Sequence, residues 1–425
     1  MKKIIPLLCL SLLGAADLHA AGRQNTVTGS IGVRQGYDSN VHRTADGEVE
    51  EWTTALTPTL GLTSASARDS LSVNYSPSVV YNHRLDETNL EHFLDLAARR
   101  SLSDRLQLSL TDTYELGDDS GLNRDDTGTR PDRIVLSENR GRNRYWSNSL
   151  TARINNEFAR DSSLGLGYNH SLLDNSAPNE EDYQRHRPFA SFDRRWSTRW
   201  STGIDGSYSR GNFDQSDDLS EYTADLEQRC HLDPHRTITG SVGYTNAEYD
   251  GTTSGYDTWS FQAGYRTDLT AASTLAASAG WNTTARDNGG DEDGLAYSLD
   301  YQRRLEKGSF TLNGSGGFEN QQFAGAGNGL SRYWTLGAGL RHQLAERLTA
   351  DGRLQYRNDD YLDRQPSSGE KSWDAGGGLN WAFGRWYTAS LRYLFREVNA
   401  DATSDDYTDH RLFFALSAGR DLWKW

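Results

Sequence analysis

The sequence predicts an all-β chain folded as one transmembrane, antiparallel, up-and-down β-barrel of about 18–20 strands, within a range of roughly 16–20. Three observations predict it. Apolar and polar residues alternate with period two, very short turns alternate with longer acidic loops, and the single apolar run at the N-terminus has no successor long enough to span a membrane as a helix.

The alternation is clearest from Trp373 to Phe383, where Trp373, Ala375, Gly377, Leu379, Trp381 and Phe383 share one face while Asp374, Gly376, Gly378 and Asn380 take the other. Period two fits and period 3.6 does not. The pattern recurs with Trp259, Phe261, Ala263, Tyr265 and Leu269 against Ser260, Gln262, Gly264, Arg266 and Asp268. It recurs again in Tyr297–Leu305 and Leu348–Arg357, so each strand has a lipid-compatible and a water-compatible face. A soluble sandwich also alternates, but here the polar face carries charges and the apolar faces end in Trp, Tyr and Phe near the turns. Those aromatic ends favour membrane girdles.

The strands follow one another as hairpins at roughly 20-residue spacing. Tight turns at Ala67–Ser70, Ala159–Ser162, Leu232–His235 and Ala345–Arg347 alternate with longer segments such as Gly117–Arg140 and Asp287–Gly294. Short periplasmic turns and longer outer loops are the asymmetry expected of such a barrel. The strands run from near Thr26 to Tyr407–Trp425, and no linker or composition shift marks a second domain. The outward series Leu412, Phe414, Leu416, Ala418 has the wrong parity to reach the terminal aromatic Trp425, which requires a bulge near Arg420 or an early strand end.

Lys2 and Lys3 precede the apolar run Ile4–Leu13, and small residues follow at Ala20 and Ala21. This reads as a secretory signal peptide over residues 1–21, leaving residues 22–425 as the barrel. Cys9 falls inside the apolar run with Leu8 before it, where a lipoprotein needs a small residue. Beyond the leader only Cys230 remains, so disulfide scaffolds and Cys-rich metal sites are excluded, and Cys230 reads as a small apolar residue on an outward face.

The formal charge is −15, and removing Lys2, Lys3 and Asp17 takes away a net +1 to leave −16. A nucleic-acid partner is excluded on that balance. A mean hydropathy of −0.76 with 35% hydrophobic residues is too polar for a helical membrane protein, yet suits a barrel with a wet lumen, which needs only alternate residues apolar. The expected location is the outer membrane of a Gram-negative bacterium. The expected partners are outer-membrane lipid, lipopolysaccharide and the barrel assembly machinery.

The segment Gly36-Tyr37-Asp38-Ser39-Asn40-Val41-His42-Arg43, at the end of the first strand, resembles the N-terminal signature of the β-barrel porin 2 family. Strand rhythm and chain length are similar throughout. The resemblance implies a porin-like barrel and, for some members, an outer-membrane exit for exopolysaccharide working with polysaccharide-export partners. Read from its residues alone, the segment is structural, with Tyr37 in the aromatic girdle and Asp38 and Asn40 capping a loop.

No enzyme is expected. The histidines are scattered among many hairpins, and there is no His-Glu-x-x-His, Gly-x-Ser-x-Gly or phosphate loop. A barrel hydrolase, with Ser, His and an acid meeting in space, is the minor alternative. The acidic runs Asp118-Asp119, Asp125-Asp126, Asp291-Glu292-Asp293 and Asp405-Asp406 lack EF-hand spacing and read as solvated loops, so no cofactor or metal is expected.

A barrel of this size leaves a lumen wide enough for water unless loops or side chains plug it. The first functional expectation is a conduit for an anionic solute or exopolysaccharide, and the rival is a closed barrel that docks a periplasmic or surface partner. Assigned by parity, Arg341, Arg353, Arg357, Arg392 and Arg396 face inward, against Asp351 and Asp374 on the same strands. Either these arginines tune selectivity, or they brace the wall in cross-strand ladders.

Overall fold

The computed structural model describes residues 22–118, 141–178, 180–287, 289–324, 329–362, 368–401 and 405–425. The expected signal peptide at 1–21, Asp119, and the acidic pair at 125–126 lie outside the described residues. Twenty strands are present: β1 Gln24–Asp38, β2 Glu51–Ala65, β3 Asp69–Asn82, β4 Glu87–Ser101, β5 Leu106–Gly117, β6 Tyr145–Ala159, β7 Ser162–Asn175, β8 Tyr183–Arg195, β9 Trp200–Phe213, β10 Leu219–Asp233, β11 Arg236–Tyr249, β12 Tyr256–Thr270, β13 Ser273–Arg286, β14 Glu292–Leu305, β15 Gly308–Asn320, β16 Leu330–Ala345, β17 Leu348–Tyr361, β18 Ser368–Ala382, β19 Tyr387–Ala400 and β20 Tyr407–Lys424. Each pairs antiparallel with its neighbours in sequence, and β1 also pairs with β20, so the sheet closes on itself. Closure leaves no unpaired edge, the condition for strands to cross lipid.

The register carries the expected faces. Leu379 pairs with Ala350 and Leu391, Phe261 with Val242 and Trp281, and Ala263 with Gly240 and Ala279, so apolar residues stand beside apolar ones on one surface. That surface is the outer one: Phe261 is 48% exposed, Leu336 49% and Leu379 42%. Aromatic pairs mark its upper rim, with ring centroids 4.9 Å apart for Tyr37 and Trp52, 4.7 Å for Tyr244 and Trp259, and 4.7 Å for Tyr356 and Trp373. Amphipathic rings of this kind belong at the water–lipid boundary. Cys230 is also outward, in register with Trp200 and Ile238.

The C-terminal parity problem is solved by a bulge. Thr28 pairs with Asp421 but Val27 pairs with Trp423, so Leu422 is the extra residue. The shift returns Trp423 and Trp425 to the outward series begun at Leu412. The termini lock there, Asn25 N donating to Trp425 O at 2.9 Å and Trp425 N to Asn25 O at 3.1 Å. One loop is shorter than expected: Glu292–Gly294 belong to β14, paired with Thr284–Asn282.

The buried apolar cluster lies inside the barrel at the long-loop end. It comprises Tyr145, Leu173, Tyr183, Phe213, Leu219, Ala247, Tyr256 and Leu330, with Phe323 and Tyr249 packed against it. A transmembrane barrel keeps its bulk apolar surface on the outside, so an apolar core at the mouth means that something crosses the lumen there.

Candidate functional site: the lumen and its mouth

The crossing element is the 3-10 turn Gln322–Ala324 that follows β15, which carries Phe323 to β8 and β9. The Phe323 ring lies 5.5 Å from Tyr183 and 5.3 Å from Phe213, with the Arg185 guanidinium 4.0 Å above its centroid. Tyr183 OH donates to the Phe323 carbonyl at 3.2 Å. At the base, Asn320 Nδ2 donates to Tyr256 OH at 2.9 Å and Tyr249 OH at 3.2 Å. Gly211 makes the seat possible, because a Cβ there would stand 2.7 Å from the Phe323 ring. The loop therefore narrows the extracellular mouth, and aromatic and cation–π contacts hold it in place.

A second cover comes from the segment after β1. Asn40 N donates to Asp38 Oδ1 at 2.9 Å, and the Asn40 amide ties the turn by donating to Thr44 O at 2.9 Å and accepting from Thr44 N at 3.2 Å. This is the loop-capping role expected of the Gly36–Arg43 motif, with Tyr37 in the outer girdle. The turn then meets residues 141–144, where Arg142 N donates to Val41 O at 2.9 Å and the buried Arg142 guanidinium donates to Glu51 Oε2 at 2.7 Å.

Two further loops are latched to each other. Asp217 Oδ2 accepts from Thr253 N and Thr253 Oγ1, both at 2.8 Å, across the loops after β9 and β11. Gly251 permits the approach, since a Cβ there would clash with the Asp217 carboxylate. These hydrogen bonds, the Thr253 amide's foremost, hold the Asp217 pKa below its ordinary value of 3.8. A depressed carboxylate pKa gives a contribution present in full above that ordinary value and lost as pH falls through the lower folded value. Hydrogen exchange at the Thr253 amide is therefore expected to stay slow near neutrality and to quicken, relative to neighbouring strand amides, only below about pH 4. Unchanged protection below that range would show that the carboxylate does not hold the latch.

All five expected arginines take inward positions, and the structure divides them. Arg357 is neutralised by Asp359 and Glu319, each at 2.6 Å, and Arg396 pairs with Asp374 at 3.0 Å. These two brace the wall. Arg341 and Arg353 have no ion-pair partner among the described residues, although Asp351 is the register partner of Arg341 and accepts instead from Asn380 Nδ2 at 3.3 Å. Arg392 faces inward between Gly378 and Phe413. Asp359 and Glu370 also face inward on these strands, so Asp351 and Asp374 are not the whole counter-charge.

Sequence reading limited to the C-terminal strands missed the rest of the wall. Arg34 is inward on β1, its guanidinium 5.8 Å from the Phe413 ring centroid. On the opposite side Asp205 and Asp225 are inward register partners on β9 and β10, and Asp300 is inward on β14. The same alternation, applied to Val33-Arg34 and Ile204-Asp205, carries that signal. The lumen thus carries arginines on β16 to β1 and, on the other side, both carboxylates and the inward arginines Arg153, Arg185, Arg187 and Arg229. Among the described residues no three His, Cys, Asp or Glu side chains gather as a metal site.

No protein-family model and no curated protein matches the sequence, so the resemblance to the β-barrel porin 2 family rests on the motif and the strand rhythm alone. Among solved structures, a ferric enterobactin receptor of Pseudomonas aeruginosa in complex with enterobactin matches with a TM-score of 0.56 at 9% identity, over 93% of this chain and 81% of its own. OpdO of the same organism matches at a TM-score of 0.47 and 16% identity, over 94% and 98% of the two chains. OccK2 (OpdF) gives 0.47 at 13% identity, over 94% and 98%. The likeness is one of fold. Closure, the apolar belt with its aromatic rim, and this likeness define the chain as an outer-membrane β-barrel of the Gram-negative type.

Proposed function

We propose that the barrel is a water-filled diffusion conduit for small anionic solutes. The observation that carries this reading is the inner wall on which Arg341 and Arg353 stand without an ion-pair partner among the described residues; Arg392 and Arg34 face the same lumen. A low-dielectric wall focuses the field of such charges into the passage. Inward arginines recur on the facing strands at Arg153, Arg185, Arg187 and Arg229, interspersed with Asp205 and Asp225, so cationic side chains are offered to an anion around the passage. The loop seated across the mouth at Phe323 favours small solutes over an exopolysaccharide strand, which the sequence resemblance suggests for some relatives. Export of the chain behind its signal peptide and insertion by the assembly machinery belong to the same reading.

The test is a reversal-potential measurement in a salt gradient, comparing the native protein with the Arg341→Gln, Arg353→Gln, Arg392→Gln triple variant. A unit charge at ~4 Å in water acts with about 1 kcal/mol, so the anion-to-cation permeability ratio is expected to fall on the order of fivefold. An unchanged ratio in a folded variant would leave these arginines as bracing only. Liposome permeation by small organic anions, but not by an acidic polysaccharide, distinguishes solute passage from polymer export.

A further inference from the structure

The inward arginines of β6, β8 and β10 fall into two kinds. Glu221 meets Arg185 at 4.0 Å, and Arg229 is paired with Glu227 and, at 3.7 Å, with Asp193. Arg153 and Arg187 make no ion pair among the described residues and are held by neutral groups instead. Arg153 donates from Nε to Asn155 Oδ1 and from Nη2 to Ser191 Oγ, both at 2.8 Å, and Arg187 donates from Nε to Ser207 Oγ at 3.3 Å. Guanidiniums fixed in this way keep their charge and further N–H donors for a carboxylate, which they can grip through two parallel hydrogen bonds.

Between the two lies Phe189, half-buried on the lumen side of β8. Its register partners are Gly167 on β7 and Ser207 on β9, and Gly167 is in turn the partner of Arg153. The inward positions Gly165 and Gly167 leave β7 bare here. A Cβ at Gly165 would stand 2.8 Å from Arg153 Nη2, and one at Gly167 would clash with the Phe189 ring. Arg153 therefore reaches across β7 from one side and Phe189 leans onto it from the other, which brings the guanidinium 5.9 Å from the ring centroid. Toward the mouth, Arg187 follows two residues along β8, about 7 Å away, and Arg185, two residues further, lies against Phe323. A solute that passes the Phe323 turn meets this wall next.

We propose that Arg187, Phe189 and Arg153 form a subsite for an aryl carboxylate, an inference that rests on the conduit reading and names its class of cargo. A guanidinium takes the carboxylate, and the solute's ring lies against the lumen side of Phe189 as an aromatic pair. The neighbouring polar groups decide against a polyhydroxylated acid. Asn155 and Ser191 are engaged by Arg153, and Ser207 by Arg187 and by a 2.7 Å hydrogen bond with Thr223 Oγ1. Sugar hydroxyls laid on this wall would meet an apolar ring and partners already in use. A short aliphatic acid satisfies the guanidinium and leaves the ring without a contact.

Saturation-transfer NMR titrations of the refolded barrel in detergent, with benzoate and acetate as probes, read binding without any current. Benzoate is expected to bind the native chain on the order of fivefold more tightly than acetate, and Phe189→Ala to remove most of that difference. Phe189→Leu, which keeps apolar bulk without the ring, is expected to do the same, and Arg153→Gln with Arg187→Gln to weaken both probes. Equal affinities for the two acids in the native chain, or a benzoate preference that survives both Phe189 variants, overturns the subsite. The reversal potential keeps the two readings apart. An anion-selective chain with no benzoate preference retains the conduit and loses the subsite, whereas a chain that binds benzoate through Phe189 and passes no current retains the subsite and loses the conduit.

Discussion

Replacing Leu379 by Arg is expected to destabilise the folded barrel by about 2–4 kcal/mol, while replacing Asn380 by Arg costs far less. The two residues are consecutive on β18, so strand propensity and position along the barrel are nearly shared. They differ in what each face meets. Leu379 is 42% exposed on the outer belt beside Ala350 and Leu391, where a guanidinium would lie in hydrocarbon with no hydrogen-bond partner. Asn380 faces the lumen, where its amide reaches Asp351 and water or that carboxylate can receive the new charge. Folding titrations into lipid vesicles measure both. Ala263→Arg against Gln262→Arg repeats the comparison on β12, and equal penalties on the two faces would contradict the assigned sidedness.

The second large effect is expected at the mouth. Phe323→Ala removes the ring that fills the Gly211 notch and the platform beneath Arg185, while the strands that carry the barrel are untouched. An apolar constriction of this kind limits ion flow, so single-channel conductance is expected to rise on the order of twofold or more, with noisier openings as the loop loses its seat. Gly211→Val approaches the same contact from the opposite wall by occupying the notch. If neither substitution changes conductance, the narrowest part of the passage lies elsewhere.

Much of this architecture was legible in the alternation itself. Trp373 to Phe383 sorted correctly because each face has one kind of solvent, and the mismatched parity of Leu412 to Trp425 called for the bulge that Leu422 supplies. The Asp38 and Asn40 cap was legible because short polar side chains close turns through nearby backbone. The destination of Phe323 was not, since it depends on a chord across the barrel to residues on β8 and β9 that no local pattern encodes. For the same reason Arg357 and Arg396 could not be separated from Arg341 and Arg353: whether a carboxylate lies within reach depends on register and rotamer, not on parity.

The measurement that bears most directly on the conduit is planar-bilayer conductance of the purified, refolded protein. Discrete conductance steps with an anion-leaning reversal potential are expected from the native chain, and larger steps from Phe323→Ala. No steps above background in the native protein, and none once the Phe323 loop is unseated, would contradict an open lumen and leave the barrel a closed docking scaffold.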